Sequence, residues 1–403
     1  MKNLFSKKLQ TNSCIKEDGN FKIQLNDCLA CSGCITDSEK LLTETNNDLI
    51  LNLKGNVTFI IASQSKWSIF DYLNGENFEE FENYLCYFLR EKFKIKSIYD
   101  TSYATNIITN ELLKEDNKII SDCPGTVMYI ERQASHLIKH LSKILTAQQI
   151  LAKNKSNEII VSVVQCYDKK LELSESSTEI DFILTTYEFM KLLEKSNFNY
   201  TKTTYRSLPN EQFRNNVGFN SGGYLNNILF KKYSEIKNKT DLNPKKVNKS
   251  RTNKLLEVNS TKDKTMDKNK WEDFNKIKFP NLRHGVTYNF IQKSPGYYFY
   301  EFIENNQKEV YVRIIGVENL INFMKEMKIN PFHFKLVEAY ICNFGCVNGP
   351  GQLKFEDIEK SLLDFSSIGQ KSNSNELDLE PIDLYGRTFK KKEMKKTSFN
   401  VQW

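Results

Sequence analysis

The chain has 403 residues, of which 39% are hydrophobic, and a formal net charge of +7. That length and apolar content exclude a wholly disordered chain and give room for two or more lobes with their own cores. No run of about 18 uncharged apolar residues occurs, and the N-terminus has no apolar segment ending in a small-residue cleavage site. The expectation is therefore a soluble cytosolic or nuclear protein without a membrane span. Residues 231–278 hold 15 Lys and Arg against 7 Asp and Glu, and residues 385–403 hold 6 against 1, which leaves the rest of the chain at −6. Neither basic run interleaves aromatic residues of the kind that stack on bases, so direct nucleic-acid binding is not expected.

Cysteines open the chain. Cys28, Cys31 and Cys34 are spaced CxxCxxC, with Cys14 upstream. Two-residue gaps let thiolates converge on one [4Fe-4S] cubane while a fourth ligand arrives from elsewhere, and Cys14 is the natural candidate because Ser38 and Glu39, not a further cysteine, follow the run. Structural zinc is the competing reading, although zinc usually takes paired CxxC units and no histidine lies nearby. Unmetallated thiols are a third. Nine cysteines in a reducing compartment point to metal ligands or free thiols before disulfides.

Beyond residue 54, apolar and β-branched runs predict strands at 57–62, 118–121, 158–164 and 180–185, with helical patterns at 78–93, 129–151 and 187–193. A second passage predicts strands at 297–303, 309–315 and 335–341 and a helix at 317–327. Strands alternating with helices imply an α/β fold with parallel sheets, in which ligands sit beyond the carboxyl ends of the strands. Cys123, Cys166 and Cys342 fall at three such ends. Cys86 sits among aromatics in a helical pattern and reads as core. Residues 231–278 lack apolar periodicity and read as a poorly ordered surface insertion. Ser221, Gly222, Gly223 and Tyr224 lack the Lys-Ser/Thr of a phosphate loop, and close packing is the simpler reading. His136 and His140, spaced i and i+4, have no evident third ligand and read as surface histidines, and His284 and His333 complete no zinc motif.

The last cysteines lie in a CxxGCxxGxGQ segment, Cys342, Gly345, Cys346, Gly349, Gly351 and Gln352, within a stretch that runs from Glu338 to Gln352. Together with Ser121-Asp122-Cys123-Pro124-Gly125 and Cys166-Tyr167-Asp168-Lys169-Lys170-Leu171-Glu172, it resembles, in order, the three signature motifs of iron-only hydrogenases and their eukaryotic relatives. The likeness is to the branch of prelamin A recognition factor-like proteins that act in cytosolic iron-sulfur protein assembly. It implies a two-lobed hydrogenase-like α/β core. The expected division is an N-terminal cluster segment (1–54), a first α/β region (55–230), the basic insertion (231–278), a second α/β region (279–384) and a basic tail (385–403). It also implies that Cys123, Cys166, Cys342 and Cys346 ligate a buried [4Fe-4S] cluster, giving two clusters in all.

Hydrogenases attach a diiron unit at the position of Cys346 and relay protons through a thiol where this chain has Asp122. Lys169 and Glu172 match hydrogenase residues. Gln165, Tyr340 and Pro350 depart from the pattern around the diiron unit. The resemblance thus implies an assembly factor that relays clusters to cytosolic and nuclear apoproteins without hydrogenase activity, the alternatives being an active hydrogenase or another iron-sulfur electron carrier. It further implies upstream scaffold partners and a targeting complex containing a WD40 protein, engaged through the terminal Trp403, whose indole and carboxylate together suit a docking pocket.

Overall fold

The computed structural model describes residues 48–153, 155, 157–176, 179–200, 223–238, 279, 282, 285–353, 355, 357–358 and 383–392. Cys14, Cys28, Cys31, Cys34, Trp403, Ser221, Gly222, His284 and most of the basic insertion lie outside them.

Strands β1 (Val57–Ile61), β2 (Ser97–Asp100), β4 (Ile159–Val164) and β5 (Phe182–Thr185) form a parallel sheet in the order β2-β1-β4-β5. All five β1 residues are buried, as expected of a strand covered on both faces. The covering helices include α1 (Ser63–Tyr72), α2 (Phe78–Phe93), α3 (Ser102–Lys114), α6 (Tyr167–Glu175) and α7 (Thr186–Lys195). Helix α2 has the bounds that periodicity predicts. Asn77 caps its start by accepting from the amides of Glu79 and Glu80, and Phe78, Phe81, Leu85, Cys86, Leu89 and Phe93 are buried along it. Cys86 is a core thiol, as expected, with burial raising its pKa to about 12.

The second sheet, β3-β9-β8-β7-β6, departs from the all-parallel expectation. Strands β3 (Lys118–Ile120), β9 (Leu336–Tyr340) and β8 (Gln307–Ile315) are parallel neighbours, but β7 (Tyr297–Glu304) and β6 (Val286–Ser294) run antiparallel. The cause is local: Glu304 pairs with Gln307 around Asn305 and Asn306, whose φ values of 51° and 62° make a two-residue hairpin turn of the kind asparagine tolerates. Strand β6 escapes a sequence reading because it has no fully buried residue.

The single helix expected over 129–151 is broken into α4 (Pro124–Gln133), a 3₁₀ segment (Ser135–His140) and α5 (Ala147–Lys153). The stretch between is drawn alongside β3: Leu141 bridges Ile119, the Ser142 amide donates to Ile119 O at 2.9 Å, and Ser121 Oγ donates to Ser142 O at 2.6 Å. Sheet pairing has overridden helical periodicity here. His136 and His140 consequently lie on a 3₁₀ turn, where i and i+3 align and i and i+4 do not. His140 stacks on Phe332 with ring centroids 4.1 Å apart.

The expected division of the chain also needs correction. β3, from the first predicted region, pairs with β9 in the second sheet, and α4 packs on both β9 and α6, so the lobes are interleaved. Helix α8 (Tyr224–Asn238) runs through the boundary placed at 230/231. The chain remains packed beyond residue 384, with Tyr385 bridging Ile144 and Arg387 buried.

Candidate metal centre

Three strand ends build the site. After β3 the chain turns at Cys123, the N-cap of α4, whose first helical residue is Pro124, a position that favours proline. After β4 it turns at Cys166, the N-cap of α6. After β9 it enters the loop carrying Cys342 and Cys346, with Gly345–Asn348 forming one 3₁₀ turn.

That loop is stitched across the first sheet. Pro350 O accepts from the Tyr167 amide at 3.0 Å, and Gly351 O accepts from the Tyr187 amide at 3.0 Å, so successive carbonyls serve the N-terminal turns of α6 and α7. The approach requires glycine. A Cβ at Gly349 would stand 2.9 Å from Gln165 O and 3.3 Å from Cys166 Cβ, and one at Gly351, where φ is +104°, would meet Thr185 at 3.2 Å.

Cys123 and Cys346 are buried, and Cys166 and Cys342 are partly exposed. Burial raises the Cys123, Cys166 and Cys342 thiols above their ordinary value. Cys342 is raised further by Cys123, Cys166 and Cys346, while Cys166 is raised by Asp168 and then by Cys346 and Cys123. Four thiols thus lie within electrostatic reach of one another, an arrangement hostile to bare thiolates and suited to a cationic group between them. Amides face the sulfurs: the Lys169 amide donates to Cys166 Sγ at 3.4 Å, and the Thr126 and Ile341 amides partly offset the effect of burial on the Cys123 thiol, while the Thr126 hydroxyl is spent on Ala339 O at 3.0 Å. Such bonds support cluster sulfurs. Among the described residues no three His, Cys, Asp or Glu side chains converge on one point as a single ion requires. Four cysteines from three strand ends would offer one thiolate to each iron of a cubane, whereas zinc gathers its thiolates on a single ion.

A charged network backs the cysteines. The buried Lys169 ammonium uses its three donors on Asp122 O (2.6 Å), Asp122 Oδ1 (3.3 Å) and Glu172 Oε2 (3.1 Å). Burial alone would lower its pKa, but Asp122 and Glu172 outweigh that and hold it raised. Asp122 Oδ2 has no hydrogen-bond partner among the described residues and borders a cavity of about 10 Å³, room for one water, lined by Ser121, Ser142, Tyr224 and Arg387 among others. Tyr340 and Tyr224 are buried, and both phenols are pushed well up, first by burial and then by Glu338, Asp122 and Cys346. Helix α8 presents Tyr224 because its start is gripped from β8 and β9: the Leu225 amide donates to Glu338 Oε1 at 3.0 Å, and the buried Arg313 binds both Glu338 and Asn226.

The structure therefore brings Cys123, Cys166, Cys342 and Cys346 together, with Asp122, Gln165, Tyr340 and Pro350 around them. Sequence reasoning missed Arg313 and Arg387, and it named Tyr224 and Glu338 within their segments without giving either a role at the site. Arg387 left one legible signal, as the single arginine in a tail otherwise made basic by lysine.

Residues 55–350 match the family model described as iron only hydrogenase large subunit, C-terminal domain. The chain is similar to an Encephalitozoon cuniculi protein named cytosolic Fe-S cluster assembly factor NAR1, with 30% identity covering 97% of this chain and 96% of that protein. It is also similar to a Xenopus tropicalis protein named cytosolic Fe-S cluster assembly factor narfl, with 25% identity covering 93% and 82%. Among solved structures, the [FeFe]-hydrogenase HydA(deltaEFG) aligns with a TM-score of 0.53 over 82% of this chain and 88% of that one, and its 16% identity makes this a likeness of fold alone.

Proposed function

The chain belongs to the iron-only hydrogenase-like family, and from that premise we propose that it is a cytosolic iron-sulfur protein assembly factor, holding one [4Fe-4S] cluster on Cys123, Cys166, Cys342 and Cys346 and a second on Cys14, Cys28, Cys31 and Cys34. It relays clusters to cytosolic and nuclear apoproteins, receives them from upstream scaffold proteins, and docks through Trp403 on a targeting complex containing a WD40 protein. The names of its relatives support the assembly role.

The observation that carries this reading is the convergence of four cysteines from three strand ends, electrostatically coupled and supplied with amide donors. A bound cluster supplies one-electron redox capacity or is itself the cargo. The chain's own residues hold and shield it: Lys169 sets a fixed positive charge behind the sulfurs, and the 349–351 backbone closes over Cys166. Hydrogen turnover is not part of this function. At the position of the hydrogenase proton-relay thiol, Asp122 is held by Lys169 through both its carbonyl and its carboxylate. Tyr340 and Tyr224 occupy the surroundings of Cys346, and the Arg313–Glu338 pair lies beside Tyr340.

Anaerobic reconstitution tests the proposal. Two cubanes require about eight irons and eight sulfides per chain, with the electron paramagnetic resonance of a reduced [4Fe-4S] centre. Uptake of zinc alone overturns it. Hydrogen evolution from a reduced viologen, after a diiron cofactor is supplied, would instead favour the hydrogenase reading.

A further inference from the structure

The described C-terminal segment, residues 383–392, lies across the cysteine end of the molecule and is fastened at two places. On one side the Leu145 amide donates to Leu384 O at 2.8 Å, and the amides of Gly386 and Arg387 both donate to Lys143 O. On the other, Glu131 of α4 accepts from the Lys390 amide at 3.1 Å and pairs with Lys392 Nζ at 3.0 Å. Between these anchorages Arg387 turns inward and is 9% exposed. Its Nη1 donates to both the carbonyl and the hydroxyl oxygen of Ser121, the latter at 2.7 Å, and its Nη2 donates to Glu172 Oε1.

These partners belong to the two separate segments that present cysteines. Ser121 stands two residues before Cys123, and Glu172 lies on α6, the helix that Cys166 caps. Lys169 makes a parallel bridge from within α6, taking Asp122 and the other oxygen of Glu172. The bridge from the tail demands arginine: a planar guanidinium reaches a carboxylate and a carbonyl in fixed directions, where an ammonium is a single point of charge. A buried guanidinium is tolerable only when so paired.

We propose that Arg387 is a positioning residue that clamps the Cys123 turn to the Cys166 helix, so that the tail is part of the cluster's containment and the clamp sets how fast the cluster is released. The inference rests on the reading that Cys123, Cys166, Cys342 and Cys346 hold a cluster. Removing Arg387 leaves Glu172 and the Ser121 carbonyl short of a buried partner and lets the two cysteine segments separate.

The test uses the full chain with Cys28, Cys31 and Cys34 all replaced by serine, so that one site reports. After anaerobic reconstitution, cluster loss to a ferrous chelator is followed well below the unfolding temperature. R387Q should release its cluster about tenfold to a hundredfold faster than the parent, the usual cost of losing an outer-shell partner. R387K should fall between the two. E172Q should also accelerate release, and R387Q with E172Q should be less than additive because the two residues share one contact. A role confined to general stability would lower the unfolding temperature without changing release in the cold. Should R387Q fail to fold, R387K and E172Q decide, and release at the parent's rate in both overturns the clamp. A parent that takes up no iron overturns the four-cysteine reading itself. A parent that loads about four irons, as one cubane requires, while its Arg387 variants release at the parent's rate, overturns the clamp alone.

Discussion

The two sheets share a core but divide the labour. In β2-β1-β4-β5 every strand is parallel, and in the second sheet only the β3-β9-β8 side is. The cysteines follow that distinction. Cys166 leaves β4, Cys123 leaves β3, and Cys342 and Cys346 leave β9, while the antiparallel strands β6 and β7 carry none. A parallel strand must be followed by a crossover, usually through a helix, and the turn into that helix leaves backbone amides free to face a ligand. A hairpin spends its end on a tight turn. The antiparallel part supplies aromatic packing instead, with Phe290 against Tyr298 and Tyr300, and Tyr288 against Phe302.

The comparison is broken most severely at the strand ends. Cys342→Ser or Cys123→Ser, from the second sheet, and Cys166→Ser, from the first, should each abolish the cluster of the four-cysteine group, read as a fall from about eight irons to about four per chain. Cys86→Ser is the control. It should retain full iron while costing roughly 1–3 kcal/mol, because a hydroxyl enters an apolar core, measured by denaturant unfolding of the loaded protein. Retention of iron by Cys166→Ser alone would mean that only the second sheet holds metal.

Next in size are two buried cations away from the cysteines, Lys66 in the first region and Arg313 in the second. Lys66 on α1 pairs with Glu82 of α2 and with Asp100 at the end of β2. Arg313 on β8 pairs with Glu338, its cross-strand neighbour on β9, at 2.9 Å. Lys66→Met and Arg313→Met should each cost about 3–5 kcal/mol, since Glu82 and Asp100 in the first case, and Glu338 in the second, are left buried without their cation. Burial opposes the Lys66 charge, but Asp100 and Glu82 prevail and raise its pKa above 10.5. A raised lysine contributes stability that is complete below its unfolded value and is lost only as pH climbs through the folded one. The Lys66 contribution should therefore be constant through neutral pH and fade only in strong alkali. Equal losses for the two variants would show that both regions depend on buried charge to the same degree.

The sequence made the chemistry of the site more legible than its support. Cysteines at strand ends announce themselves because strand, turn and ligand are contiguous, as at Cys123 and Cys166. Buried strands and the amphipathic α2 were visible for the same local reason. What stayed hidden depends on long-range pairing. Arg387 meets Ser121 and Glu172 across more than 200 positions, Tyr224 reaches the site only because Glu338 and Arg313 hold α8, and β6 has too little buried surface to mark it as a strand. The broken helix after residue 133 belongs with these, since it yields to pairing with β3 that periodicity does not encode.

The smallest expected effects lie where the regions touch, at Gly351 and Thr185. Thr185 ends β5 and closes a capping box with Glu188, its hydroxyl accepting from the Glu188 amide while the Glu188 carboxylate accepts from the Thr185 amide. Gly351→Ala should cost about 1–3 kcal/mol, because φ is +104° and the new Cβ would stand 3.2 Å from both Cβ and Cγ2 of Thr185. Thr185→Ala alone should cost about 1 kcal/mol through loss of the cap. It also removes Cγ2, so the double variant should be destabilised by less than the sum of the singles. Strict additivity in denaturant unfolding would mean that Gly351 is required for its backbone angle alone, and that the loop from the second sheet does not press on the capped helix of the first.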